Sequence, residues 1–317
     1  MTESSRTVLV TGGAGFIGSH VCQAYRDAGW RVLALDNLSS GKIGNVPDDV
    51  EFIEMDIRSD ALSDLMKERR PALVNHHAAQ IDVRLSVADP RLDASINVDG
   101  WLSVLESARA ADVRRVVFVS SGGVVYGEPE QVPTGETAPK APISPYGVSK
   151  LTGEHYLFYF RKVHGLEGVA LRYSNVYGPR QDPHGEAGVI ALFSRRLLEG
   201  RSLTIFGDGE QTRDYVYVGD VAAANLAVSA VPLPDPETID DVAFNVATGV
   251  EASVRRLAET LLEVSGRHAD VEFAPARPGE LHRSALDTAR LRAAGWVPEI
   301  DLAEGLRRTY EYIAEHL

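Results

Sequence analysis

Short apolar, β-branched runs alternate along the chain with longer segments whose apolar positions recur every three or four residues. Thr7 to Val10, Arg31 to Leu35, Val50 to Glu54, Ala72 to Asn75 and Arg115 to Val119 read as strands, apolar enough to be buried on both faces. Between them, Phe16 to Ala28, Ala61 to Arg69 and Leu92 to Ala111 carry the helical period. Such alternation predicts an α/β fold, a doubly wound parallel sheet with ligands at the carboxyl ends of its strands.

The pattern changes after the midpoint. A long helix is expected from Ser149 to His164, because Pro142 and Pro145 disfavour helix before it and Gly165 supplies a stop. Beyond a strand at Val169 to Arg172, the segment Asn175 to Gly188 is rich in Gly, Pro and polar residues and reads as a functional loop, while Pro232 to Asp241 reads as a surface connection. Ser253 to Ser265, Thr288 to Ala294 and Leu302 to His316 have helical patterns around a short strand at Val271 to Phe273, which predicts a second, smaller α/β lobe. A chain of 317 residues exceeds the usual single-core limit of roughly 250 residues. The expected division is residues 1–175, with 211–240 returning to them, and a lobe of 176–210 plus 241–317.

A formal net charge of −13 disfavours nonspecific attraction to nucleic acid or to an anionic membrane, and leaves room for a small anion held by local arginines. Cys22 is the only cysteine, so there is neither an internal disulfide nor a cysteine-rich metal site, and a reducing compartment suits it. No apolar run of about 18 residues suggests a membrane span. Met1 to Arg6 is polar and leads directly into a strand, so no signal peptide is expected and the cytoplasm is the expected location.

Gly12, Gly15 and Gly18 stand at three-residue spacing between a strand and a helix. Residues without side chains there let the backbone turn and approach a pyrophosphate, while the helix amino terminus offers N–H groups and partial positive charge. Asp36 ends the second strand about 20 residues later, where a carboxylate accepts ribose hydroxyls and repels a 2′-phosphate. The expected ligand is therefore NAD rather than NADP, with Lys42 the one nearby residue that argues otherwise. Asp56 and Ile57 follow the third strand and suit adenine; Ala78, Ala79 and Gln80 follow the fourth and allow close backbone approach. His76 and His77 lack metal-ligand spacing, and no metal is expected.

Tyr146 and Lys150 are four apart in Ser144-Pro-Tyr-Gly-Val-Ser-Lys150, hence on one face of a helix. A phenol is a poor base at neutral pH, but a neighbouring ammonium and a positive nicotinamide favour its ionised form. Such a pair suits proton and hydride chemistry at a carbon bearing a hydroxyl.

Together with Thr11 to His20, Asp36 to Gly41, Ala78 to Gln80 and Arg172-Tyr-Ser-Asn-Val-Tyr-Gly-Pro179, these motifs resemble the extended short-chain dehydrogenase/reductase family, and within it the NAD-dependent nucleotide-sugar epimerases. The resemblance covers nearly all of the chain. It implies a Rossmann sheet and adds Phe16, Ile17, Asn37, Ser40, Gly41, Asn97, Ser120 and Tyr173 to the cofactor set. The family's third catalytic residue, a Ser or Thr four positions before the Tyr of a Tyr-Gly pair, falls here on Gly122, which has no hydroxyl; Ser121 is the nearest substitute.

The resemblance also implies a nucleoside-diphosphate sugar in the second lobe. Asn175, Arg213 and Arg277 would hold the diphosphate; Gly188, Val189, Thr204 and Phe206 would form the uracil pocket; Glu280 would meet the ribose. Ser121, Gly122 and Tyr146 would face the sugar. A UDP-hexose 4-epimerase is implied, interconverting UDP-glucose and UDP-galactose through a 4-keto intermediate. UDP-glucuronate and UDP-N-acetylhexosamine 4-epimerases are the near alternatives, Arg84 being a candidate for a C6 carboxylate. A 4,6-dehydratase would need an Asp-Glu pair where this chain has Gly123-Val124. The alternative of another class is a non-catalytic NAD-sensing regulator on the same scaffold. Pairing into a homodimer through Leu92 to Ala111 and Ser149 to His164 is also implied, as a four-helix bundle.

Overall fold

A strand buried on both faces needs apolar cover from two sides, and the order of elements supplies it. The computed structural model describes residues 6–184, 188–276 and 281–317. Its strands are β1 (Thr7–Thr11), β2 (Arg31–Asp36), β3 (Glu51–Glu54), β4 (Leu73–His76), β5 (Arg115–Ser121), β6 (Glu167–Tyr173), β7 (Asn175–Tyr177), β8 (Leu203–Phe206), β9 (Thr212–Arg213), β10 (Tyr215–Tyr217), β11 (Ala243–Val246), β12 (Ala252–Ser253) and β13 (Val271–Ala274). The helices are α1 (Phe16–Asp27), α2 (Ala61–Arg69), α3 (Val83–Ala88), α4 (Pro90–Ala94), α5 (Gly100–Ala110), α6 (Gly122–Val125), α7 (Pro145–His164), α8 (Val189–Leu198), α9 (Val218–Val228), α10 (Val254–Ser265), α11 (Ala289–Ala293) and α12 (Leu302–His316).

Seven parallel strands form one sheet in the order β11-β6-β5-β4-β1-β2-β3. The order reverses between β1 and β4, which opens a crevice at their carboxyl ends. Side chains alternate across the pleat. Val8 and Val10 join Tyr25 of α1 and Ala224 of α9 on one face, while Leu9 joins Trp101 of α5 and Leu157 of α7 on the other. His76 is buried in that second layer, stacked on Trp101 at 4.6 Å between centroids and bonded to the Thr11 hydroxyl at 2.8 Å.

The second lobe packs α8, α10 and α12 around the parallel pair β8 and β13, with Phe193, Ile205, Leu261 and Leu306 in its core. It docks closely on the sheet domain. A Cβ at Gly305 of α12 would lie 2.1 Å from the Tyr177 hydroxyl, so only glycine lets α12 approach β7.

The structure corrects several expectations. Helix α7 begins at Pro145, four residues before the expected Ser149, because proline at the first helical position loses no hydrogen bond and the Ser144 hydroxyl accepts from Gly147 N–H. The helix expected over Leu92 to Ala111 is interrupted by a π turn at Ser95–Asp99. Strand β3 is only partly buried, since it is the sheet edge and β2 is its sole neighbour. Ala243–Val246, expected in the second lobe, is the opposite edge strand of the main sheet. The segment Asn175 to Gly188 is not wholly loop, for its first three residues are β7, paired with β10.

Candidate active site

The turn from β1 into α1 is a cradle that side chains would fill. Gly12 has φ +68°, and a Cβ there would lie 2.6 Å from Ala78 N; at Gly18 it would lie 2.1 Å from Gly12 O. Gly15 caps α1 without a side chain, so first-turn N–H groups remain for an anion, beside the half-buried Phe16 and Ile17. At the end of β2, Asp36 Oδ2 accepts from Ala14 N–H (3.0 Å) and Oδ1 from Leu38 N–H (2.8 Å), which fixes the carboxylate at the crevice rim. A Cβ at Gly41 would come within 2.9 Å of that carboxylate, and Ser40 beside it is exposed.

Asn37 donates to Asp56 (2.9 Å), whose carboxylate is held well below the usual range by the Arg58 guanidinium at 2.8 Å. The Ile57 side chain is buried against Gly100. At the ends of β4 and β6 two buried polar atoms, His77 Nε2 and Ser174 Oγ, have no hydrogen-bond partner among the described residues. Glycines that exclude a Cβ, a fixed carboxylate and these orphaned atoms fit a dinucleotide.

Four expected cofactor contacts are occupied within the protein. The Ser120 hydroxyl donates to Glu154 Oε1 at 2.5 Å, and the Tyr173 hydroxyl accepts from Asn225 at 2.6 Å. Gln80 donates to Asp93 and to Asp82 O. Asn97 clasps the Gln80 backbone, accepting from its N–H and donating to its C=O, each at 2.9 Å. The Tyr173 hydroxyl, which accepts here, keeps its own proton to donate.

Helix α7 presents Tyr146 and Lys150 together. Tyr146 is half-buried, and its N–H donates to the Ser86 hydroxyl at 3.2 Å. The Lys150 ammonium is buried, donates to Val119 O at 2.9 Å, and lies 5.7 Å from the centre of the Tyr146 ring. Burial pushes the Lys150 ammonium down to about 8, opposed by the carboxylate of Asp93. Burial, reinforced by Asp93, holds the Tyr146 phenol above its ordinary value. The protein by itself therefore keeps the phenol protonated at neutral pH, and ionisation calls for further positive charge beside the ring.

One turn further along α7, Glu154 pairs with the fully buried Arg172 at 2.6 Å. Arg172 also donates to the Tyr126 hydroxyl (3.0 Å), to Glu136 O (2.7 Å) and to Asp240 (2.8 Å). Asp240 lies in the segment expected to be a mere surface connection. The carboxylates of Asp93 and Glu154 escaped the sequence reading; Glu154 alone left a signal, eight residues after Tyr146 on the same helical face.

The space beside Gly122 is filled. A Cβ there would lie 2.4 Å from Leu286 Cδ1, so Leu286 occupies the space a side chain would need. Ser121 caps the short helix α6, and its hydroxyl makes no hydrogen bond with the described residues.

The residues expected to hold a nucleotide lie at the lobe boundary. Asn175 is exposed at the start of β7. Gly188 caps α8 without a side-chain acceptor, so the Val189 end of that helix presents free N–H groups. Arg213, in β9, donates to Thr212 O, and its neighbour Asp214 ties down Thr248 and Gly249 through their N–H groups. Thr204 accepts from Arg196 at 2.9 Å, so its hydroxyl is already engaged, while Phe206 is half-buried. Arg277 and Glu280 lie outside the described residues. No group of His, Cys, Asp and Glu suited to a metal ion occurs among the described residues.

Comparison with known proteins identifies the family. Residues 8–247 match the model of the NAD dependent epimerase/dehydratase family. A UDP-glucose 4-epimerase of Mycolicibacterium smegmatis is 46% identical over 310 residues, covering 96% of this chain and 97% of the relative. The crystal structure of a UDP-glucose 4-epimerase from Thermotoga maritima with UDP-glucose superimposes with a TM-score of 0.93 at 43% identity, covering 98% and 99% of the two chains. A Thermus thermophilus UDP-glucose 4-epimerase in complex with NAD gives 0.90 at 44% identity, covering 98% of this chain and all of that one. This chain belongs to the NAD-dependent epimerase/dehydratase family.

Proposed function

We propose that the chain is a UDP-hexose 4-epimerase that uses NAD and interconverts UDP-glucose and UDP-galactose. The observation that carries this reading is the half-buried Tyr146 and buried Lys150 on one face of α7, at the same strand ends as the glycine cradle and Asp36. Its sugar and cofactor are those of relatives similar over the whole chain.

In this reading Gly12, Gly15, Gly18 and Asp36 hold the cofactor, with the main chain of Ala78 and Ala79 against it. Bound NAD supplies a reversible acceptor for the hydride at the sugar C4. Tyr146 takes the proton of the 4-hydroxyl, and Lys150 stabilises the phenolate that does so. The product of that half-reaction is a 4-keto sugar. It turns over in the site, C4 regains the hydride on its other face, and Tyr146 returns the proton to the oxygen of the opposite epimer. In this reading the Ser121 hydroxyl, which is unengaged, would donate to that oxygen in place of a residue at 122. Asn175, Arg213 and Arg277 grip the diphosphate, and the amino end of α8 with Phe206 holds the base. Gripping the nucleotide rather than the sugar is what leaves the sugar free to rotate.

A cytoplasmic location is part of this proposal, and the single, buried free thiol suits it. Pairing through α5 and α7 is supported by Val148, Tyr159 and Val163, apolar residues exposed on α7. Light scattering at micromolar concentration should then give twice the chain mass; a single-chain mass would remove the dimer.

The test of function is UDP-galactose with no added reductant. UDP-glucose should appear with no net consumption of NAD, and Tyr146→Phe should keep NAD while losing roughly 100-fold or more in kcat. Failure to isomerise any of UDP-galactose, UDP-glucuronate and UDP-N-acetylglucosamine, with NAD bound, would sink the reading.

A further inference from the structure

Asp93 is a buried carboxylate that the reaction as described does not use. It sits on α4 with 1% of its surface exposed and makes no ion pair among the described residues. Its partners are neutral: Oδ1 accepts from Gln80 Nε2 (3.0 Å) and Asn97 Nδ2 (2.9 Å), and Oδ2 accepts from Ser149 Oγ (2.5 Å). Burying a carboxylate without a counter-ion is costly, so such a group is retained only where its charge or its grip serves something. Ser149 is the residue between Tyr146 and the end of the first turns of α7, directly before Lys150. Lys150 is in the same condition with opposite sign, for it is buried and gives its hydrogen bond to a neutral carbonyl, Val119 O.

Other charged groups near Lys150 are silent or committed. From β4, His76 and His77 are both neutral, burial pushing His77 down to about 3 and His76 well below its ordinary value. From α7 itself, Glu154 is paired with Arg172 of β6. Ser86 of α3 and Val119 of β5 offer only neutral groups. Asp93 is the carboxylate left uncompensated beside the pair.

We propose that Asp93 is a positioning residue for Tyr146 and Lys150: through Ser149 it fixes the start of α7, and its negative charge keeps Lys150 an ammonium. The proposal rests on the epimerase reading for its consequence in turnover, though not for its physical content. Gln80 and Asn97, which the sequence assigned to the cofactor, become the donors that hold the Asp93 side chain in place.

The experiment compares the NAD-loaded wild type with Asp93→Asn, which keeps an acceptor oxygen and loses the charge. The Lys150 ammonium is followed by side-chain NMR of labelled lysine, its signal identified by its absence in Lys150→Met. Removing a nearby negative charge destabilises the ammonium, so its titration midpoint should fall by roughly one pH unit. The same loss eases ionisation of Tyr146, so both limbs of the kcat profile should move to lower pH together, with KM for UDP-galactose within about twofold. An unmoved Lys150 midpoint, or a kcat lowered equally at every pH, would overturn the proposal.

Should Asp93→Asn not fold, Ser149→Ala retains the charge and removes the tether. It should lower kcat several-fold while leaving the Lys150 midpoint in place; unchanged kcat would overturn the tethering role. A wild type that isomerises no UDP-hexose yet shows the Asp93-dependent midpoint would refute the proposed function and leave the charge assignment standing.

Discussion

The proposed cradle for the cofactor and the proposed grip for the nucleotide are built in opposite ways. Gly12, Gly15, Gly18 and Asp36 come from one βαβ unit, and their geometry follows from short-range sterics, glycine at φ +68° and a Cβ that would meet Gly12 O at 2.1 Å. The nucleotide side comes from β7, the amino end of α8, β8 and β9, whose strands pair with β10, β13 and β12 from elsewhere in the chain. A locally built site tolerates almost no change at its glycines. A site assembled from separate elements spreads its binding over several side chains, and each can be removed at modest cost.

Two substitutions test that contrast, the larger effect first. Gly18→Ala inserts a methyl group against the main chain of Gly12, where nothing flexible can give way. Overpacking of this kind costs about 1–3 kcal/mol, and here it also closes the pyrophosphate approach. The variant should purify without NAD and melt at lower temperature, measured by absorbance of released nucleotide and by calorimetry. Stoichiometric NAD in Gly18→Ala would show that the cradle is not rigid.

Arg213→Ala removes one charge-assisted contact among several, worth about 1.5–3 kcal/mol. KM for the UDP-sugar should rise by roughly 10-fold or somewhat more, with NAD content and melting temperature unchanged. Loss of NAD along with the rise in KM would mean that the two halves of the site are not separable.

How much of this could be read from the chain depends on how far apart the interacting residues lie. The Tyr146–Lys150 pair was legible because i and i+4 share a helical face, whatever surrounds it. The start of α7 was misplaced because proline was weighed as a helix breaker, when at the first helical position its missing N–H is one that no helix would have used. Strand β11 was assigned to the wrong lobe because four residues, three of them apolar, are ambiguous until β6, some 70 residues earlier, is seen beside them. Asp240 looked like part of a surface connection for the same reason, since nothing local reveals that it meets Arg172.

The sequence by itself determined the βαβ alternation, the glycine turn, the acidic end of β2 and the Tyr–Lys face, because each is a property of covalent geometry within a few residues. Tertiary structure alone decided what surrounds them. It gave Ser120, Tyr173, Gln80 and Asn97 internal partners, filled the space beside Gly122 with Leu286, and tied the buried Asp93 to Ser149, the residue before Lys150. Those outcomes depend on hydrogen bonds and packing between residues distant in the chain, which periodicity and spacing do not encode.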